Sequence, residues 1–181
     1  MCMLRYMNIL HIDSCALGDS SQSRQHTAAA VARLTSAHEG ASVNYRDLAA
    51  SPLSHVSAPL LQVMRRQWNS AIPMHAELRA ESLLSASLMQ EFIAANIVVV
   101  GAPMHNYFTP STLKAWLDRL LHLHEDMAAP SSSQRVMLVT SGWGADDPQQ
   151  AELMQGYEGQ LKAAFKSIGV RHLDVARAGM N

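Results

Sequence analysis

Charge of either sign is scarce in this chain, and that narrows its function first. Of 181 residues only 16% are charged, and the formal net charge is −1. Such a surface has no field to draw in a nucleic acid or an anionic membrane. Long apolar runs are missing as well: no stretch approaches the roughly 20 residues that a helix needs to cross a bilayer. The opening, Met1 to Tyr6, lacks the apolar centre of a secretory leader, so a cytoplasmic protein is expected. Met3 and Met7 are alternative starts. Cysteine is nearly absent. Cys2 and Cys15 are too few, and too near the start, to build a disulfide framework, and they read as reduced thiols. The nine histidines raise the question of a metal. No HExxH and no Cys/His cluster exists, however, and His122 and His124, two apart on an expected helix, point to different sides. No metal site is expected.

What the chain does have is a regular alternation of strand and helix signals, the pattern of a parallel sheet covered by helices. Asn8-Ile-Leu-His-Ile-Asp13 reads as a buried first strand, and Ser23–Ala37 as a helix burying Ala28, Val31, Ala32 and Leu34. Ser42–Arg46 is a short second strand. The connection from Asp47 to about Ala76 holds Pro52, Pro59 and Pro73, which interrupt regular helix. Leu84, Leu88 and Phe92 then stripe a helix from Glu77 to Ala95, and Ile97–Val100 is a wholly apolar third strand. Thr109 is suited to cap the next helix, with Pro110 at its first position and Leu113, Trp116, Leu117, Leu120 and Leu121 along one side. Val136–Val139 is the fourth strand. Leu153, Tyr157, Leu161, Phe165 and Ile168 stripe the following helix, Gly169 ends it with positive φ, and Val170–Val175 is the fifth strand. Residues 1–181 read as one α/β domain. Right-handed crossovers give a doubly wound five-stranded parallel sheet of order 2-1-3-4-5, whose ligands bind beyond the carboxyl ends of the strands where the winding reverses.

The loops after strands one, three and four meet at that place. The first, Asp13 to Ser23, runs into a helix start rich in hydroxyls and backbone donors, which suits an anion. It has no lysine and is not a P-loop. A bare serine cap is the plainer reading. The second, Gly101 to Pro110, offers Met104 and Tyr107 as a soft apolar surface for a ring system, and Asn106 for its polar edge. A turn packed under its own side chains would account for Pro103. The third, Thr140-Ser-Gly-Trp-Gly144, lets backbone approach a ligand closely, with Ser141 as a donor.

Asp13-Ser-Cys, Ser21-Gln-Ser23, Arg46-Asp-Leu-Ala49, Ala102-Pro-Met-His-Asn-Tyr107, Pro110-Ser-Thr-Leu-Lys-Ala-Trp-Leu-Asp118 and Thr140-Ser-Gly-Trp-Gly144 together resemble the FMN-dependent NADH azoreductases. These are relatives of the flavodoxin-like NAD(P)H quinone reductases, and the resemblance runs from Met7 to about Val175. It implies a flavodoxin-like fold, FMN as cofactor and NADH or NADPH as electron donor. A quinone, azo or similar conjugated small molecule would be the acceptor. It further implies that Cys15, Ser21, Gln22 and Ser23 serve the flavin phosphate. Pro103, Met104, His105, Asn106 and Tyr107, with Ser141, Gly142, Trp143 and Gly144, would serve the ring. His105, beside the ring, could protonate a reduced product, a role suited to histidines in general, or could simply hydrogen-bond its own loop.

This chain departs from the family's pattern in several places. Cys15 stands where serine is usual, and a thiol is the weaker donor. His105 replaces a usual tyrosine, Tyr107 a phenylalanine, and Gly142-Trp143 an Arg-Gly pair. The stretch His122 to Pro130 is shorter than the family's aromatic wall, which would leave the pocket more open to bulky acceptors. The chain stops at Asn181 without the expected final helix. The sheet would then be bare on one side over strands three to five, and a homodimer mate or another protein is expected to cover it. The alternative reading is a divergent flavin-holding or cofactor-free member that binds a partner or does specialised biosynthetic chemistry.

Overall fold

The run Ile-Val-Val-Val offers water no polar side, and it lies in the middle of the sheet as strand β3 (Ile97–Pro103), with Val98, Val99 and Val100 wholly inaccessible. The computed structural model describes residues 7–123, 130–142 and 148–178. The other elements are β1 (Asn8–Asp13), α1 (Gln22–Ala37), β2 (Ser42–Asp47), α2 (Ala58–Met64), α3 (Ala76–Ala94), α4 (Ser111–Leu123), β4 (Arg135–Ser141), α5 (Pro148–Ser167) and β5 (His172–Arg177). All strands pair in parallel in the order β2-β1-β3-β4-β5. The sheet is the doubly wound, flavodoxin-like one expected.

Alternation along the strands sorts the core into two faces. Leu10, Ile12, Val98, Val100, Ala102, Val136 and Leu138 meet α3, α4 and α5, where Phe92, Trp116 and Phe165 pack with ring centroids 6.0 to 6.3 Å apart. Ile9, Val99 and Val139 meet Ala30 and Val31 of α1. That helix buries Ser23, Thr27, Ala30 and Val31, not the expected Ala28 and Ala32. Its amino end is aimed at the polar strand ends, so hydroxyls rather than methyls face inward there.

Several details differ from the sequence expectation, each for a local reason. Pro59 opens the short α2 instead of preventing a helix, because Ser57 caps it and proline is at home in a first turn. Pro110 stands just before α4 and accepts from the Lys114 N–H at 2.9 Å, so it is Pro110 and not Thr109 that directly precedes the helix. In α5 the inward residue is Met154, and Leu153 is exposed. The fifth strand starts two residues late. Gly169, at φ +98°, closes α5 with paired bonds from Gly169 N to Lys166 O (3.0 Å) and from Val170 N to Phe165 O (3.1 Å). Val170 therefore belongs to the helix cap and not to the strand.

The sheet face expected to be bare over strands three to five is covered in its inner part, where Val99 and Val139 are buried with Ala30 and Val31 of α1. Val136, Leu138, Leu173 and Val175 turn toward the helix-covered face. On the α1 side β4 and β5 pair Arg135 with His172, Met137 with Asp174 and Val139 with Ala176. Arg135 and Asp174 form an exposed ion pair at 3.0 Å there. Among the described residues no helix follows β5. The outer part of this face is polar, so hydrophobicity alone does not demand a cover.

Asp47, Glu81 and Glu158 all sit below the usual carboxylate range. Burial pushes each upward, but hydrogen bonds outweigh it: from the Ala50 and Ala49 N–H groups and Arg24 to Asp47, from Arg119 and Ser54 to Glu81, and from Arg177 and Thr140 to Glu158. A depressed folded-state pKa gives stability that is present above the ordinary values of 3.8 and 4.5 and is lost as pH falls through the folded values. The urea midpoint should hold level from neutrality to about pH 5 and then fall steeply. Glu158→Gln should shrink that fall. A midpoint unchanged at pH 3 would contradict the assignment.

Candidate functional site at the carboxyl ends of β1, β3 and β4

The first loop is fastened before it reaches its helix. Asp13 is buried, its Oδ1 accepting from Thr27 Oγ1 at 2.8 Å and its Oδ2 from the Tyr45 hydroxyl at 3.1 Å. Burial, and then the nearby Asp13 charge, push the Tyr45 phenol up to about 12. Ser14 Oγ donates to Gly101 O at 2.7 Å, and Thr112 Oγ1 donates to Ser14 O at 3.0 Å. The loop root is thus bound to both β3 and α4. Gly101 must lack a side chain, since a Cβ there would sit 2.8 Å from Asp13 Oδ1.

Cys15 is buried, with its Sγ 3.5 Å from His105 Nε2, so the first and second loops touch through a thiol and an imidazole. Ser21 caps α1, its Oγ accepting from Arg24 N at 3.3 Å. The Ser21 and Ser23 hydroxyls lie 2.9 Å apart, and both residues are buried. Two hydroxyls sharing one hydrogen bond keep one proton for an anion. Gln22 is exposed between them. The first backbone N–H groups of any helix lack intrahelical acceptors, and here they open beside that pair.

In the second loop His105 and Phe108 exchange two backbone hydrogen bonds of 2.9 Å. Asn106 (φ +47°) and Tyr107 (φ +71°) lie between them, both in the left-handed region. This is a two-residue turn of type I′. Asparagine tolerates that conformation and tyrosine does not, so the loop is strained at Tyr107. The turn carries the side chains of Tyr107 and Phe108 outward, 54% and 67% exposed. Pro103 is buried, while Met104 and His105 are half-buried.

The third loop joins the second through Met104 N, which donates to Ser141 O at 2.7 Å. Gly142 lies against Met154 and Met104: a Cβ would meet Met154 Sδ at 2.7 Å and Met104 Cε at 3.3 Å. Ser141 is half-buried and Gly142 exposed. Trp143 and Gly144, expected at the ring, lie outside the described residues, as do residues 124–129 of the stretch expected to be a shortened wall.

The fold therefore brings together Cys15, Met104, His105, Ser141 and Gly142, and sets Ser21 and Ser23 at the neighbouring helix start. It leaves Gln22 and Tyr107 facing outward. Sequence reasoning missed Ser14, Thr27, Tyr45 and Thr112, which hold the loops, and a face of α5 beneath them. The signal for that face was present, since Met154, Tyr157 and Glu158 stand at i, i+3 and i+4. Among the described residues no cluster of His, Cys, Asp or Glu could hold a metal. Nor is any described helix long and apolar enough to cross a membrane.

A family described as having a flavodoxin-like fold matches residues 7–181. The FMN-dependent NADH:quinone oxidoreductase of Azospirillum brasilense is 45% identical over 180 residues, covering 95% of this chain and 86% of its own. Its counterpart in Methylocella silvestris is 40% identical over 180 residues, covering 95% and 87%. Among solved structures, an FMN-dependent NADH-azoreductase from Bacillus anthracis in complex with FMN superposes with a TM-score of 0.75 at 17% identity, covering 94% of this chain and 86% of that one. The NAD(P)H:quinone oxidoreductase of Methanothermobacter marburgensis does so at 0.69 and 16% identity, covering 95% and 84%. Both show the shared fold. By sequence and by architecture, this chain belongs to the flavodoxin-like fold family, in the group of the FMN-dependent NADH:quinone oxidoreductases.

Proposed function

We propose that this protein is an FMN-dependent oxidoreductase that passes two electrons from NADH or NADPH to a quinone, an azo compound or a similar conjugated small molecule. The observation that carries the reading is the meeting of three loops at the carboxyl ends of β1, β3 and β4, beside the amino end of α1, where the winding reverses.

The residues fit FMN. The α1 start, with the Ser21 and Ser23 hydroxyls, suits a phosphate. The half-buried Met104, with the exposed Gly142 packed closely against it and Met154, suits a flat, polarisable ring. Bound there, FMN supplies the two-electron carrier between nicotinamide and acceptor. Nothing in the chain needs to act as a nucleophile. His105 is read as the bridge to Cys15 before any role as an acid, because its Nε2 already faces that thiol. Trp143 and Gly144 are proposed to complete the ring site. A cytoplasmic homodimer is part of the same proposal, and light scattering at low micromolar concentration reads the dimer.

The absorption spectrum of freshly purified protein is the test. A yellow protein whose visible band bleaches with NADH and returns on adding a quinone is expected. A colourless protein that takes up no FMN would sink the reading and favour a cofactor-free binding role.

A further inference from the structure

One face of α5 lies under both ring-side loops. Met154, Tyr157 and Glu158 share that face, and each touches a different part of the site. Met154 Sδ lies against Gly142. Glu158, buried, accepts from Thr140 Oγ1 at 3.0 Å and from Arg177 at 2.7 and 3.0 Å, fixing the residue that precedes Ser141. The Tyr157 hydroxyl reaches the root of the second loop, lying 3.1 Å from both Ala102 O and Pro103 O.

We infer that Tyr157 is a positioning residue for the flavin-ring loop, one oxygen that clasps the 103–109 span into the shape in which Met104 and His105 meet the ring. The span needs such a clasp. It contains two left-handed non-glycine residues, and strain of that kind persists only where the surroundings over-determine the backbone. Within the span the His105–Phe108 pair closes the tip, and Tyr157 closes the base. Tyr157 is 3% exposed, and burial above all raises its phenol well above the ordinary range, so it remains a donor at any working pH. A tyrosine needed only for packing would not require two successive carbonyls of the loop root to converge on its oxygen.

The inference rests on the FMN reading, and the test separates the two. Tyr157→Phe keeps the ring and removes the clasp. Phe165→Leu loosens the same helix away from the loop. With each protein fully folded by circular dichroism, FMN titration followed by flavin fluorescence gives the dissociation constants.

Tyr157→Phe should raise the constant roughly threefold to tenfold, as expected for one buried hydrogen bond. Phe165→Leu should lower the unfolding temperature and leave FMN affinity unchanged. Wild-type affinity in Tyr157→Phe, or an equal loss in Phe165→Leu, would overturn the inference. A wild type that binds no FMN at all would instead remove the functional reading and the inference with it.

Discussion

Replacing Ser21 and Ser23 together by alanine should weaken FMN binding about thirtyfold, equivalent to about 2 kcal/mol. The two hydroxyls lie 2.9 Å apart at the α1 start. One of their two protons is spent between them, so the pair offers a phosphate one strong, charge-assisted donor rather than two. The backbone N–H groups and the helix dipole remain in the double variant, which keeps the loss finite. Ser21 is also the helix cap, and its loss costs about 1 kcal/mol of stability in its own right. Ser23 has no capping role. Ser23→Ala alone should therefore lower affinity at nearly constant unfolding temperature, while Ser21→Ala lowers both. FMN titration beside thermal unfolding reads the two effects separately. An affinity unchanged in the double variant would move the phosphate away from α1.

Arg119→Met should cost about 3 kcal/mol of stability and lower the unfolding temperature by roughly 6–12 °C. Arg119 is wholly buried, an uncommon place for a guanidinium. It donates to Ser85 Oγ at 2.7 Å, to Ser54 O at 2.9 Å and Ser54 Oγ at 2.8 Å, and to the Glu81 carboxylate. Through these contacts α4 holds both α3 and the connection that follows β2. Methionine fills much of the stem's volume, so the loss measures the bonds and not a cavity. It strands the Ser54 carbonyl and the Ser85 hydroxyl without their donor. Glu81 is partly exposed and regains water, which is why the figure is not larger. Adding Glu81→Leu should recover part of the loss, because removing both charges relieves the unpaired one. Calorimetry decides this, and a shift under about 2 °C would show that the cluster contributes little net stability.

The fold was legible because its signals are redundant. β3 is apolar on every residue from Ile97 to Val100, a pattern that only a strand covered on both faces can use. The α4 stripe of Leu113, Trp116, Leu117 and Leu120 has an unbroken helical period, and all four are buried. Where several local preferences compete, the reading failed. Val170 is as good a strand residue as any, but the Gly169 cap claims it for the helix end. Ala28 and Ala32 look like core, but the helix is rotated so that Thr27 reaches Asp13. One hydrogen bond to a buried carboxylate outweighs two methyl groups.

The sequence by itself determined the strand and helix order, and with it the position of three polar loops at one edge of the sheet. It did so because hydrophobic period and chain order are local properties, and right-handed crossovers leave little choice of topology. It also supplied the motifs whose resemblance named the cofactor. Only the tertiary structure decided how those loops are held: Cys15 against His105, Ser14 on Gly101, Met104 on Ser141 and Tyr157 under the root of the second loop. These contacts join residues dozens of positions apart, and no local pattern encodes which donor will find which acceptor. A loop's composition states what it can bind, while its shape is set by buried polar atoms of distant elements that must be paired once the core excludes water.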